Sequence, residues 1–215
     1  MHSYIKNTLT FTFLALSFIS CQQEISQEII VYENDFSEGN TTGIENANLE
    51  NFVNIPVLGF YNNEELILNL SELPSHKALR ITVDILLHDS WDGNVPSPGG
   101  PDIWYMKLDN QEIMNTTFSN SPCTSTYCLM QSFPGEFPNQ ANPKTGAFNG
   151  NLPGRCQHNG VLGYTSRYII SKAIPHNAST ATITLGDILV QENAANPICD
   201  ESWSLNRIVV STLEL

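Results

Sequence analysis

From Ala78 to Leu86 every second residue is a large aliphatic: Leu79, Ile81, Val83 and Ile85 alternate with Ala78, Arg80, Thr82, Asp84 and Leu86. A period of two lets a β-strand bury one face and leave the other mostly polar, because successive side chains leave the pleat on opposite sides. A helix would scatter the same four aliphatics around its circumference. The stretch therefore commits this part of the chain to sheet. Further strand-like runs follow the same logic at Ile29–Glu33, Pro56–Tyr61, Glu65–Leu70, Ala78–His88, Ile103–Leu108, Glu112–Phe118, Val161–Ser171, Thr180–Gly186 and Leu205–Leu213. Gly, Pro, Asn and Ser separate them. Asp109-Asn110-Gln111 reads as a tight hairpin, and Pro74 breaks the 71–77 stretch into a loop. No window offers a capped amphipathic helix, and no internal repeat is visible. Many short strands with turn signals between them predict an all-β fold, an antiparallel β-sandwich of the jelly-roll kind.

The segment 119–160 breaks this rhythm. It carries Pro122, Pro134, Pro138, Pro143 and Pro153 and three cysteines. Structureless loops beyond about 12–15 residues are uncommon and tend to be functional or disordered. The segment is expected to be a disulfide-pinned excursion over one end of the sandwich, not a linker between domains.

The first twenty residues carry Lys6, no acid and an almost wholly apolar run from Leu9 to Ile19, followed by Ser20 and Cys21. Such a run is too short for a membrane span of about 20 residues and has the layout of a secretory signal. Cysteine directly after a small residue resembles the lipobox of bacterial lipoproteins, although Phe18 stands where leucine is usual. That resemblance implies lipidation of Cys21, a short polar tether over 21–28 and one domain over 29–215. Attachment through several acyl chains would be firm. The expected location is an outer-membrane or cell-surface lipoprotein, with secretion as the alternative.

Lys and Arg number 9 against 22 Asp and Glu, a net charge of −13, and removing residues 1–20 takes away only Lys6. Such a balance excludes nucleic acid as a natural partner, because phosphate neutralisation needs cations. It also gives no electrostatic hold on anionic lipid, so contact with the membrane is expected only through the lipid anchor. Beyond Cys21 lie Cys123, Cys128, Cys156 and Cys199, an even number in an exported chain. Of three connectivities, Cys123–Cys128 with Cys156–Cys199 closes a short loop and ties the long loop to the approach of the last strand. The alternative is zinc on Cys123-x4-Cys128 and Cys156-Gln157-His158.

Two acidic tryptophan motifs stand out, Asp89-Ser90-Trp91-Asp92-Gly93-Asn94 and Asp200-Glu201-Ser202-Trp203. With Leu73-Pro74-Ser75-His76, Gly100-Pro101-Asp102, Leu108-Asp109-Asn110 and Thr117-Phe118-Ser119-Asn120 they resemble an uncharacterised group of secreted bacterial domains. Those domains are similar to concanavalin-like and MAM-type jelly rolls. Glu33-Asn34-Asp35-Phe36-Ser37-Glu38-Gly39 resembles the start of MAM-like domains. The resemblance covers nearly all of the chain after the signal and implies an extracellular jelly roll. It departs at Asn206-Arg207, where the pattern has Asp-Asn.

Calcium takes six to eight oxygens from carboxylates, Asn and carbonyls. Asp89, Asp92, Asn94 and Asp102 offer four such side chains on one Gly/Pro-rich loop, with Gly93 permitting a sharp turn. Asp35, Asp200 and Glu201 form a second candidate group where the first and last strands would meet. The bland reading is that these acids cap turns. If calcium is bound, chelation lowers the melting temperature and added calcium restores it. Trp91 and Trp203 sit beside strand ends, where packing is the better reading than sugar stacking. Tyr127, Phe133, Phe137 and Phe148 in the long loop are the candidate ligand contacts. His88-Asp89-Ser90 cannot by itself build a triad, since neighbours on a strand point to opposite faces. No nucleophile elbow, phosphate loop or HExxH motif occurs, and His76, His158 and His176 read as solvated turn residues. The function expected is a non-enzymatic binding module for a glycan or cell-surface protein. A structural or adhesive envelope protein and a polysaccharide-active hydrolase are the alternatives.

Overall fold

The structure, a computed structural model, describes residues 25–190 and 194–214. The signal, Cys21 and the start of the tether lie outside these residues. Twelve strands form among the described residues: β1 (Gln27–Asn34), β2 (Ile44–Glu45), β3 (Leu49–Phe52), β4 (Ile55–Tyr61), β5 (Glu65–Leu70), β6 (Ala78–Asp89), β7 (Ile103–Leu108), β8 (Gln111–Thr117), β9 (Asn149–Pro153), β10 (Leu162–Pro175), β11 (Ala181–Ile188) and β12 (Glu201–Glu214). A single helical turn, α1 (Pro197–Asp200), precedes β12. The large sheet runs β3-β4-β12-β6-β10-β9, with β1 also on β12, and the small one β2-β5-β11-β7-β8. Every strand pair is antiparallel. The β-sandwich is as expected.

The alternation in β6 sets the core. Leu79, Ile81, Val83, Ile85 and Leu87 face the small sheet and meet Leu66, Leu68, Trp104, Met106, Ile183 and Leu185. From β12, Trp203, Leu205, Ile208 and Val210 join the same layer. Asp109 and Asn110 both hold positive φ, 49° and 66°, between strands paired through Leu108 and Gln111. Positive φ at both positions of a two-residue turn matches the twist of its flanking strands.

Two differences from the sequence reading have clear causes. The long segment contains β9, and Gln131 staples the remainder down: buried, it donates to the Phe133 and Thr145 carbonyls, both at 3.0 Å, and accepts from Lys144 N at 2.8 Å. One buried amide thus supplies the backbone partners that a sheet ladder would otherwise provide. Secondly, the outer face of the large sheet carries a second small core. Phe52 and Val57 of the β3–β4 hairpin pack on Leu86, with Phe60 and Leu152 at its margin. His88 lies beneath, bonded to Ser204 Oγ at 2.8 Å and Thr165 Oγ1 at 3.1 Å. Burial pushes its pKa well below the ordinary imidazole range, so it serves as a neutral polar core residue.

The disulfides are Cys123–Cys128 and Cys156–Cys199, with Cα separations of 4.2 and 5.0 Å. The bonds suit an oxidising, extracytoplasmic compartment. No helix among the described residues is long and apolar enough to cross a membrane.

Candidate functional site

The acidic tryptophan motifs meet at the ends of β6 and β12, yet the carboxylates divide among different tasks. Asp89 ends β6 with φ +64°, which turns its carboxylate onto the amides of Cys156, at 3.0 Å, and His158, at 3.0 Å. Asn94 accepts from Thr117 and from Ser132 Oγ at 2.8 Å. Asp35 accepts from Ser37 N at 3.1 Å. Ser90 Oγ donates to Asp200 Oδ1 at 2.7 Å, while the two His88 nitrogens are taken by Thr165 and Ser204. These four candidate ligands are used as turn anchors. Gly93 holds φ +70° where a Cβ would come within 2.3 Å of the Met130 carbonyl, so only glycine fits this bend.

Asp92, Asp102 and Glu201 do come together. Asp102 is 0% exposed and Glu201 3%. Asp102 Oδ2 accepts from the amides of Asp92 and Gly93, and the Glu201 carboxyl hydrogen-bonds the Asp102 side chain. Burial first, then repulsion from Asp92 for Asp102 and from Asp102 and Asp92 for Glu201, raise both pKa values far above the carboxylate range. Glu201 therefore holds a proton and donates it to Asp102. No N–H or ordinary hydroxyl donor reaches Asp102 Oδ1. Among the described residues no three His, Cys, Asp or Glu side chains converge to hold a metal ion. Their burial also keeps Asp102 and Glu201 away from any ligand the size of a sugar.

The tryptophans are fully buried. Trp91 Nε1 donates to the Ser202 carbonyl at 2.9 Å and Trp203 Nε1 to Asp187 Oδ1 at 2.7 Å. The four loop aromatics separate. Phe133, expected to face a ligand, is a core residue at 9% exposure, packed on Phe118 and Tyr168 at 5.1 and 5.2 Å between ring centroids. It sits two residues from Gln131, whose buried amide pulls this part of the loop inward. Tyr127, Phe137 and Phe148 are exposed, and Phe148 is the most open at 66%.

Phe148 is also the one with a built surround. It enters β9 at the rim of the large sheet's outer face, its N–H bonded to the Arg167 carbonyl at 2.8 Å. The Arg167 guanidinium lies 5.1 Å from its ring centroid. Arg167 forks onto Asp84 through Nε at 2.8 Å and Nη2 at 2.5 Å, and Asn206 Nδ2 donates to the same carboxylate at 2.9 Å. Asp84, Arg167 and Asn206 stand on the adjacent strands β6, β10 and β12. Exposed Ile169 lies in register with Asp84. On the same face the β3–β4 hairpin and the loop after β9 border an open depression of about 350 Å³ lined by Phe52, Val53, Arg155 and Gly160. Arg155 crosses the Phe60 ring at 4.1 Å beside it. Sequence alone points to Phe148 but not to Asp84, Arg167 and Asn206. Asp84 shows there only as a polar position in β6, and the departure at Asn206-Arg207 is the one other signal.

No family model matches the sequence, and no curated protein matches it. Fourteen solved chains match in structure. One is dimeric latent PorU from Porphyromonas gingivalis, at 10% identity and TM-score 0.38, over 70% of this chain and 10% of that one. Another is BtGH115A, a family GH115 4-O-methyl-α-glucuronidase with specificity for decorated arabinogalactans, at 10% identity and TM-score 0.38, over 91% of this chain and 19% of that one. This chain thus spans a small fraction of either protein, and likenesses at such TM-scores carry no argument about its function.

Proposed function

We propose that the chain is an extracytoplasmic β-sandwich binding module, tethered through lipidated Cys21, whose large-sheet outer face grips a polyhydroxylated ligand of the glycan class. The observation that carries this reading is the Phe148–Arg167–Asp84–Asn206 strip. Phe148 offers an open apolar face to the C–H side of a sugar ring, and it is held by backbone pairing instead of by a mobile loop. Arg167 and Asn206, both oriented by the buried Asp84 carboxylate, supply polar groups on rigid strands beside it, the combination that fixes orientation in small-molecule sites. Leaving a large aromatic two-thirds exposed beside a satisfied ion pair adds little to folding.

Phe148→Ala is expected to weaken binding to a retained polysaccharide at least tenfold, while stability shifts by no more than about 0.5 kcal/mol, as for surface substitutions. Affinity electrophoresis against a polysaccharide panel, with thermal melts in parallel, measures both. Retention of no polysaccharide, or undiminished retention by Phe148→Ala, removes the glycan reading. Self-association or capture of another envelope protein would then favour the adhesive alternative.

Calcium belongs to the same proposal as a structural ion, but on a reduced ligand set. Asp92, Asp102 and Glu201 are its candidate ligands; they do not stand at metal-holding distance, so the ion would have to displace the shared proton and draw them together, and Asp102 Oδ1, which receives no N–H, supports that exchange. Asp35, Asp89, Asn94 and Asp200 serve the fold elsewhere.

A further inference from the structure

Two histidines with no part in the glycan strip meet elsewhere on the sandwich. His76 lies in the loop joining β5 to β6, and His176 directly follows β10. His76 Nε2 and His176 Nδ1 stand 2.7 Å apart, and their rings are inclined by only 13°. Neither is a solvated turn residue: His76 is 3% exposed and the His176 side chain 6%. Each ring has its other nitrogen committed. His76 Nδ1 is 2.6 Å from the Pro74 carbonyl oxygen, which can only accept, so Nδ1 carries the hydrogen. His176 Nε2 is 3.1 Å from Asp109 Oδ2, and a carboxylate likewise only accepts. The facing nitrogens, Nε2 and Nδ1, are therefore the positions left to lone pairs, with room for a single cation to be shared between them. At this distance lone pairs repel, and a cation between them turns the repulsion into attraction.

We infer that His76 and His176 form a binding site for a divalent transition-metal ion of the zinc type, with the two facing nitrogens as ligands. A metal-bound imidazole normally donates its outer N–H to a carboxylate or a backbone carbonyl, which fixes tautomer and ring orientation. This pair has one of each. Asp109 is held in turn by its other oxygen, which accepts from Thr182 N at 2.9 Å. Zinc–nitrogen bonds of about 2.0–2.1 Å in a tetrahedral site ask the nitrogens to part by roughly half an ångström. His176 stands at a strand end followed by the exposed residues Asn177 to Thr180, where such a shift meets little resistance. No third His, Cys, Asp or Glu among the described residues completes the set, so water fills the remaining positions. Binding is accordingly weaker than at a four-ligand structural zinc site. Imidazole suits zinc, copper and nickel, whereas calcium and magnesium prefer oxygen.

Isothermal titration of the purified protein with zinc chloride at pH 7.5, followed by thermal melts, tests the site. The expected result is one ion per chain and a melting temperature that rises with zinc. His176→Gln abolishes this response and leaves any response to calcium intact. Asp109→Asn weakens zinc binding by about 10–100-fold. Should His176→Gln fail to fold, zinc-dependent shifts of the His76 and His176 ring signals in the NMR spectrum of the unaltered protein decide the matter equally well. No saturable zinc binding, equal binding by the variant, or unmoved ring signals would overturn the proposal and leave the pair bridged by a proton alone.

Discussion

Replacing Trp203 with alanine is expected to lower the free energy of unfolding by about 3–5 kcal/mol, the range for truncating a buried large aromatic. Trp203 is fully buried at the centre of the sandwich, 4.8 Å from the Tyr61 ring and 6.0 Å, edge-on, from Trp104. Truncation opens a cavity that the two sheets cannot close without breaking ladder hydrogen bonds. It also strips a donor from Asp187, a buried carboxylate whose pKa burial already raises. Leaving a buried polar group short of a partner costs a further 1–3 kcal/mol or so. Urea denaturation followed by far-ultraviolet circular dichroism measures the loss. Trp203→Phe refills most of the cavity without restoring the N–H, so it should fall between the two. A loss below about 1 kcal/mol for Trp203→Ala would show that the tryptophan is not the keystone its burial implies.

Without added calcium, stability should fall as pH rises from about 6.5 to 8, above the range in which buried His88, whose pKa is lowered, works in the opposite direction. The cause is the Asp102–Glu201 pair. In the unfolded chain both carboxyls release their protons near pH 4. In the folded chain burial raises both pKa values, so the pair keeps protons that the unfolded chain has lost. Their contribution is complete below the unfolded values. It is lost as pH climbs toward the folded ones, at up to about 1.4 kcal/mol per pH unit for each proton retained. Asp92 and Asp187 are shifted upward by burial too and add in the same direction. Glu201→Gln isolates the pair. The amide still donates to Asp102 but titrates nothing, so the variant should be less pH-sensitive and more stable than the parent at pH 8. Calcium at this cluster would replace the proton, so its stabilisation should grow with pH. A flat or rising stability curve in chelator would sink the shared-proton account. An unchanged melting curve with calcium at pH 8 would retire the ion.

Much of the architecture is legible in the sequence. Glu65–Leu70 and Ile103–Leu108 fall where alternation places them, and the other expected strands shift by a few residues at their ends. The disulfide pairing follows from the same reading. Three short strands escape it. Of these, β2 has two residues and β3 four, and β9 has the unpromising sequence Asn-Gly-Asn-Leu-Pro. Each owes its conformation to the neighbour it pairs with, not to its own propensity.

The site is legible only in part. The concentration of acids near Asp89 and Asp200 is plain, but which of them converge is not. Asp89 and Asp92 are three residues apart, yet the positive φ at Asp89 sends its carboxylate to Cys156 and His158, and Asp92 turns toward Asp102 and Glu201. Phe133 and Phe148 look alike on one loop. A buried glutamine two residues away draws the first into the core, and pairing with Arg167 leaves the second at the rim.

By itself the sequence determined that this chain makes sheets and which face of the Ala78–Leu86 stretch turns inward, and it favoured the cysteine pairing that the structure holds. Those properties follow from hydrophobic alternation and short-range geometry, which act along the chain. Tertiary structure alone decided that Asp84, Arg167 and Asn206 share one carboxylate, that Glu201 lends Asp102 a proton, and that His76 meets His176 across 100 positions. Such partners are chosen by strand order and register, and the free energy that sets register comes from burying the whole core. No local run of residues contains it.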